Sequence, residues 1–398
     1  NVPPKYFPGG GRDAGAKDAP KHPSFDYEAN AAFQRAGQPI HPLTLPGGVE
    51  GGGSKQPTFV LLFEQLDPRP LEKMLLSAGW KRLSLQKALK GWRADLLAVD
   101  GSFNSDRRLW KIRCGVKSRL DTPEITNKVN LHEKLMEYVP SLIPETVVVA
   151  APRAGLAPPV APGGAQIWRP EGGFRGAGVV AFTTQEELDQ IWAAHTENSP
   201  ENRGLISRYI EDPALLVVNM TLRKFHLRLY FIVVAIPEGA RVRAGRRSAL
   251  CKQGRIIHAK LPYVAGEYSN PDIHDTHQAA STDCRFPRDY PGGATEAGKV
   301  LEKAHRMLTT VSSGLLQSIT PYSECEAGYE ICGVDVMVDA RGRAWLIEIN
   351  ARTSLSCVNL DQQNWLSDFI HQGVAEFVLD LPTDRESSVL TCQDLPYV

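Results

Sequence analysis

A chain of 398 residues has room for two or three domains and a large core. Its 45 Lys+Arg balance its 45 Asp+Glu, so net charge exerts no overall pull toward nucleic acid or an acidic membrane. The 42% hydrophobic and 23% charged content is that of a globular protein, and no run of about 18 apolar residues is available to span a bilayer. The opening NVPPKYFPGGGRDAG lacks the basic-then-apolar order of a secretory leader. Seven scattered cysteines without a C-x-x-C pair argue against a disulfide framework or zinc site and point to a reducing, cytoplasmic setting.

Residues 1–55 are rich in Gly, Pro, Ala and charge, and read as a disordered arm. A first domain over 56–125 opens with TFVLLFE (Thr58–Glu64), a buried-strand pattern. DPRPLEKMLLSAGW follows as a helix with Leu71, Met74, Leu75 and Ala78 on one side, and ADLLAVDG (Ala94–Gly101) closes a strand–helix–strand unit. A central lobe over 126–205 begins with the helical ITNKVNLHEKLMEYV, Leu131, Leu135 and Met136 inward, stopped by Pro140. The strand TVVVA, a loop and the strand–loop–strand IWRPEGGFRGAGVVAF complete it. A third lobe over 206–382 holds the strands LISRYIE (from Leu205) and KFHLRLYFIVVAI. A helix between Gly292 and Thr320 places Val300, Ala304, Met307, Leu308 and Val311 on one side, ahead of a hairpin and the amphipathic NWLSDFIHQGVAEFVLDL. The polar tail 383–398 reads as loose. Strands and helices mix without strict alternation, which predicts an α+β or α/β protein of several lobes.

The hairpin GVDVMVDARGRAWLIEIN (Gly333–Asn350) carries the strongest chemical signal. Val334, Val336 and Val338 share one strand face; Trp345, Ile347 and Ile349 share one face of the return strand. With Arg341 and Gly342 as a two-residue loop, counting outward sets Asp335 opposite Glu348, and Asn350 lies on the same face as Glu348. Facing carboxylates repel at the roughly 5 Å between cross-strand Cβ atoms. Two carboxylates and an amide oxygen converging there suit a hard cation, magnesium.

Two further segments point to an anion. In RKFHLRLYF, Lys224, His226 and Arg228 are two apart and so share a face, where three potential cations repel unless an anion lies over them. In IWRPEGGFRGAGVVAF, Gly172, Gly173, Gly176 and Gly178 allow backbone N–H groups close to a phosphate, with Arg169 and Arg175 adding charge. An ordinary hairpin turn uses the same glycines, and neither the Walker nor the dinucleotide fingerprint is present. LISRYIEDP alternates like a strand, and the backbone where it leaves the sheet can offer N–H and C=O groups to an adenine edge. The stretch 241–260 holds Arg241, Arg243, Arg246, Arg247, Lys252, Arg255 and Lys260 and no acid: either a patch that steers an acidic peptide or a solvated loop.

ISRYIEDPALL, RKFHLRLYFIVV and GVDVMVD…WLIEIN, in this order, resemble the tubulin–tyrosine ligase-like family of the ATP-grasp superfamily. The likeness runs over roughly Thr58–Leu381 and is strongest over Ile167–Ser356. SNPDIHDTH (Ser269–His277) is similar to the segment around that family's His-Leu-Thr-Asn motif, with His274 and Thr276 kept. The resemblance implies an ATP-grasp fold clamping ATP and Mg2+ between two α+β lobes. It implies Asp335, Glu348 and Asn350 as metal ligands, Lys224 on a nucleotide phosphate, and Arg228 near the γ-phosphate or an acyl-phosphate. It sets Arg208, Tyr209 and Ile210 beside adenine, and Arg169 with Gly176 and Gly178 on the phosphate loop; Asn127–Lys128 matches an upstream basic position. The implied activity is ATP-dependent amide-bond formation, adding a free amino acid to an acidic protein or peptide acceptor such as a tubulin tail, with no nucleic-acid or membrane partner.

Four positions depart from the family, mostly on the acceptor side. Arg169 replaces a Lys, His226 an Asp, and His277 an Asn. Ile257 stands where an arginine grips the amino-acid carboxylate, with Arg255, His258 and Lys260 as substitutes. His226, beside Arg228, is the candidate to take a proton from the incoming amine. These changes keep two alternatives open: a ligase for a small-molecule or non-tubulin acceptor, and a catalytically inactive nucleotide-binding module.

Overall fold

The computed structural model describes residues 56–90, 94–100, 109, 114–118, 120–121, 125, 127–150, 157–160, 163–171, 178–198, 203–237, 244–274, 276, 284–321, 327–351, 353, 360–382 and 385–395. The expected arm 1–55, Gly172, Gly173, Arg175 and Gly176 of the glycine loop, Arg241, Arg243 and His277 lie outside them. The first elements are β1 (Thr58–Leu62), α1 (Arg69–Ser77), β2 (Lys81–Arg82), α2 (Leu85–Leu89), β3 (Ala94–Val99), β4 (Cys114–Lys117) and β5 (Leu120–Asp121). There follow α3 (Lys128–Tyr138), β6 (Thr146–Val149), β7 (Gln166–Pro170), β8 (Val180–Phe182), α4 (Gln185–Asn198) and β9 (Gly204–Arg208). Next come β10 (Leu215–Val218), β11 (Thr221–Ile236), β12 (Gly245–His258), α5 (Pro271–His274), β13 (Arg285–Phe286) and α6 (Gly293–Leu315). The chain ends with β14 (Thr320–Pro321), β15 (Gly328–Val338), β16 (Ala344–Asn350), α7 (Leu360–Gly373) and β17 (Val389–Leu395).

Among the described residues, an 11-stranded sheet runs β13-β12-β11-β15-β4-β3-β1-β2, with β10 beside β11, β16 beside β15 and β17 beside β12. The expected strand–helix–strand unit is present, β1 pairing with β3 in parallel through Phe59↔Leu96. A separate four-stranded sheet, β6-β9-β7-β8, carries the strands that flank the glycine loop. The architecture is the mixed α+β one that the sequence predicts.

The long strand β11 explains where the site lies. Its Phe225, Leu227, Leu229, Phe231 and Val233 face a core built with Leu131 and Leu135 of α3, Val300, Ala304, Met307 and Leu308 of α6, and Val334, Val336 and Val338 of β15. On the opposite face, Tyr230, Ile232, Val234 and Ile236 enter a second core with Leu71 and Leu75 of α1 and Leu366, Phe369 and Ile370 of α7. The start of that second face, Lys224, His226 and Arg228, belongs to neither core. Period-2 alternation along one strand thus places three cationic side chains beside an apolar core.

Two expectations give way. The tail 383–398, expected to be loose, instead contains β17 (Val389–Leu395), antiparallel to β12. Three positions apart and so on opposite faces of the strand, Val389 enters one core and Cys392 the other. The basic stretch 241–260 is mostly β12 rather than a solvated loop. Its Arg247 is 1% exposed with the guanidinium 5.0 Å from the Phe377 ring, and Lys252 and Lys260 pair with Glu386 and Asp272.

In the small sheet, Trp168 is buried and meets Trp192 edge-on at 5.6 Å. A Cβ on Gly204 would run into the Trp168 ring. Gly204→Ala should therefore overpack this sheet and lower stability by about 1–3 kcal/mol. A lowered urea midpoint with unchanged m-value is the expected reading; an unchanged midpoint would remove Trp168 as its organiser.

Candidate functional site

The hairpin of Asp335, Glu348 and Asn350 is built differently from the two-residue turn its sequence suggests. Asp339 and Arg343 close a longer loop: Asp339 N–H donates to Arg343 C=O at 3.0 Å, and the Asp339 carboxylate accepts from the N–H groups of Arg341 and Arg343. Gly342 supplies the left-handed backbone, φ 73°, that such a loop needs. The pairing begins one residue out of step, with Val338↔Ala344 and Val336↔Leu346, and a bulge at Ile347 absorbs the slip. Asp335 consequently does face Glu348, and Gly333 faces Asn350. The bulge also breaks the shared face expected of Trp345, Ile347 and Ile349: Leu346 and Ile349 enter the core, while Trp345 and Ile347 are half-buried.

Asp335, 1% exposed, is the hub. Arg228 on the neighbouring strand, its register partner, grips it with both ends of the guanidinium, Nε to Oδ1 at 2.5 Å and Nη2 to Oδ2 at 2.9 Å. Burial opposes the Arg228 charge, but the Asp335 carboxylate more than offsets this and lifts its pKa further above the ordinary range. Arg228 Nη1 also donates to Thr353 Oγ1 at 3.0 Å. Both side chains cross Gly333, where a Cβ would collide with Thr353 Oγ1 and Arg228 Cδ. Asn350 Nδ2 donates to Glu348 Oε1 at 2.7 Å and lies 3.5 Å from Asp335 Oδ2. The three sequence-predicted ligands therefore converge. No group of three His, Cys, Asp or Glu suited to a metal occurs among the described residues, so the set is two carboxylates and an amide.

His226, 3% exposed, sits between Thr276 Oγ1, 2.5 Å from Nδ1, and Asp335 Oδ1, 3.5 Å from Nε2. Lys224 donates to Tyr209 Oη at 2.5 Å and stands 4.2 Å from the centre of that ring. Tyr209 Oη in turn meets His274 Nδ1 at 2.5 Å, while His274 Nε2–H donates to the Glu267 carbonyl. Burial raises the Tyr209 pKa and lowers that of His274, which makes the phenol the donor and the neutral imidazole the acceptor. The Tyr209 side chain is thus committed to holding Lys224. Arg208 is exposed and Ile210 half-buried at the same strand exit. Of the three substitutes for the missing arginine, Arg255 lies on the site face opposite Arg228; His258 is paired with Phe225 on the core face, and Lys260 binds Asp272.

Arg169 reaches the site from the other sheet. Its guanidinium is buried and donates to three neutral acceptors: Ile347 C=O at 3.0 Å, Ser207 Oγ at 2.9 Å and His132 Nε2 at 2.9 Å. The first is the carbonyl of the bulge residue, which the ladder leaves unpaired. Burial pulls the Arg169 pKa down to about 10, against the attraction of Glu348. Burial and the neighbouring Arg169 hold His132 down at about 3, so its neutral ring donates from Nδ1 to Lys128 C=O at 3.0 Å and accepts at Nε2. Lys128, the first residue of α3, feels Glu348, Asp335 and Arg169; burial lowers its pKa. Asn127 is its helix cap, accepting from the Val129 and Asn130 N–H groups. Gly178, φ 74°, is the described end of the glycine loop, where a Cβ would press on Pro170.

Sequence reasoning missed His132, Ser207, Gly333, Thr353 and the Ile347 carbonyl. Only Gly333, a glycine within a valine-rich strand, left a signal; glycine there marks a close approach.

The model of the Tubulin-tyrosine ligase family matches residues 128–238. That is the family the sequence resembles. The matched segment contains Lys128, Arg169, Tyr209, Lys224, His226 and Arg228 and ends before the hairpin of Asp335 and Glu348. Among solved structures, the chain is similar to the C-terminal domain from K. lactis Pby1, described as an ATP-grasp enzyme interacting with the mRNA decapping enzyme Dcp2. The identity is 16% and the TM-score 0.57, covering 85% of this chain and 99% of that domain. The fold is accordingly of the ATP-grasp type. No curated protein matches the sequence. Among the described residues no helix is long and apolar enough to cross a membrane.

His132 makes a testable contribution. It charges below about 6.5 when unfolded but only near 3 in the fold, so the folded state binds fewer protons. Its share of stability is complete above pH 6.5 and disappears as pH falls toward 3. His132→Leu should cost about 1–3 kcal/mol at pH 7, by stranding a buried guanidinium donor, yet flatten the stability loss between pH 6.5 and 3. Parallel wild-type and variant curves from denaturant titrations across that range would contradict the assignment.

Proposed function

We propose that this protein is an ATP-dependent carboxylate–amine ligase resembling tubulin–tyrosine ligase-like enzymes, joining an amino acid to a protein carboxylate. The observation that carries the reading is the convergence of Asp335, Glu348 and Asn350 on one hairpin, beside Arg228, His226 and Lys224 on the adjoining strand. The family match over 128–238 and the ATP-grasp fold support it.

The donor set fits a hard divalent cation: every donor is oxygen, and strand register brings two carboxylates face to face. The Asn350 amide donates to Glu348; a half-turn would aim its oxygen the same way. We assign Asp335, Glu348 and Asn350 to magnesium and Lys224, with the glycine loop, to nucleotide phosphates. Magnesium-bound ATP supplies an electrophilic γ-phosphorus and spreads the charge of its transfer.

The acceptor carboxylate attacks that phosphorus, ADP leaves, and an acyl-phosphate forms. The amine then displaces phosphate to give the amide. Lys224 and Arg228 neutralise the charge that builds on the transferring oxygens, and Lys128 and Arg169 add fixed positive potential from the other sheet. A base must reach the proton it takes. His226, occupied by Thr276 and facing Asp335, is placed to orient that carboxylate, and we give it this role in place of proton transfer. Arg255 is assigned to the amino-acid carboxylate because it shares the site face with Arg228.

Glu348→Gln preserves shape and removes one ligand charge. ADP formation in the presence of candidate acceptors and mixed amino acids should fall at least about a hundredfold, with the unfolding midpoint unchanged. Equal turnover by the variant would refute the mechanism. Wild-type ATP hydrolysis with no mass gain on tubulin, its tail peptides or other acidic proteins would favour a small-molecule acceptor.

A further inference from the structure

A second set of cations lies on the far side of the sheet. α6 packs Val300, Ala304, Met307 and Leu308 against the face opposite Lys224, His226 and Arg228. Beside that seam, Lys303, Arg306, Met307 and Thr310 meet Leu142 and the end of the metal hairpin, Arg341, Arg343 and Ala344. These eight residues line a cleft of about 390 Å³, within the range of small-molecule sites. Four of the eight are cations, none is acidic, and none belongs to the site described above.

The cations differ in how they are held. Lys303 Nζ donates to Gly342 C=O at 2.5 Å; Arg343 donates to Ser141 C=O and lies 3.7 Å from the centre of the Trp345 ring. Both are pinned through neutral groups and keep their charge at the cleft. Arg306 has a side chain 67% exposed and meets only Glu302, 3.6 Å away on its own helix. The Arg341 guanidinium has no partner among the described residues. Asp339, the nearest hairpin acid, is spent on the N–H groups of Arg341 and Arg343 and on Trp345 Nε1.

We propose that this cleft binds a compact polyphosphate, a small molecule carrying several phosphate groups on a short carbon frame. Four cations around so small a volume call for dense negative charge. A phosphate carries about −1.5 to −2, whereas a carboxylate carries one charge and needs a side chain to deliver it. A nucleic-acid strand spreads single charges along a track, whereas these four cations gather around one cleft. The Arg341 guanidinium, and that of Arg306 once released from its exposed pair with Glu302, match phosphate oxygens in pairs. Met307, Leu142 and Ala344 give the floor an apolar surface for a ring or chain. The site stands independently of the ligase reading and survives its failure.

Isothermal titration of the whole chain with inositol hexakisphosphate tests this, with a tetraglutamate peptide as a second ligand. Arg306→Ala/Arg341→Ala should weaken inositol hexakisphosphate binding about a hundredfold, roughly tenfold for each guanidinium. Lys224→Met, which alters the nucleotide side, and Lys81→Ala/Arg82→Ala, which removes the same charge from an exposed strand elsewhere, should bind as wild type. The proposal is overturned if wild type does not bind, if Lys224→Met rather than the cleft variant loses binding, or if the control pair loses as much. Tighter binding of tetraglutamate than of inositol hexakisphosphate would overturn it in favour of an acidic peptide.

Discussion

Arg228 and Asp335 face each other across β11 and β15, and the rest of the site is arranged around that pair. A buried ion pair is costly to desolvate and costlier to break, so its presence in the middle of a large sheet requires excellent geometry and additional partners. Here those are Thr353, His226 and Asn350, with Gly333 giving up a side chain to let Arg228 lie flat. Adjacent to the pair, Glu348 adds a second carboxylate, whose charge is felt by Arg228, Lys128 and Arg169. On the proposed reading, a metal between the carboxylates and a nucleotide phosphate over Lys224 would meet this charge pattern from both sides.

The site also joins two sheets. Arg169 comes from the four-stranded sheet and takes the carbonyl that the bulge at Ile347 releases from the ladder of the large one. The bulge therefore has two consequences: it restores Asp335 to Glu348 after an odd-length loop, and it supplies the acceptor that ties Arg169 to the Asp335–Glu348 hairpin. Bulges re-aim side chains near functional sites in this way. His132, kept neutral by burial, completes the cradle without adding a charge of its own.

Much of this was legible in the sequence. Alternation in RKFHLRLYF and GVDVMVD was enough to set Lys224, His226 and Arg228 on one face and Asp335 on the face away from Val334 and Val336, because side-chain direction in a strand follows from position alone. The helical faces of α3 and α6 were legible for the same reason. What stayed hidden depends on contacts distant in sequence. Nothing in VNLHEKL marks His132 as the partner of Arg169, 37 residues away. The bulge escaped because loop length and register are set by how Asp339 folds onto Arg341 and Arg343, and the correct facing of Asp335 and Glu348 emerged from two compensating departures. The strand β17 was missed since a short polar tail gains strand structure only from the neighbour it pairs with.

Manganese, a spectroscopic stand-in for magnesium, offers the most direct test of the central claim. Electron paramagnetic resonance of the chain with Mn2+ and a non-hydrolysable ATP analogue should show nucleotide-dependent bound metal in wild type and its loss in Asp335→Asn. Equal metal binding by the two proteins, or none by wild type with nucleotide present, would contradict a divalent ion held between the hairpin strands.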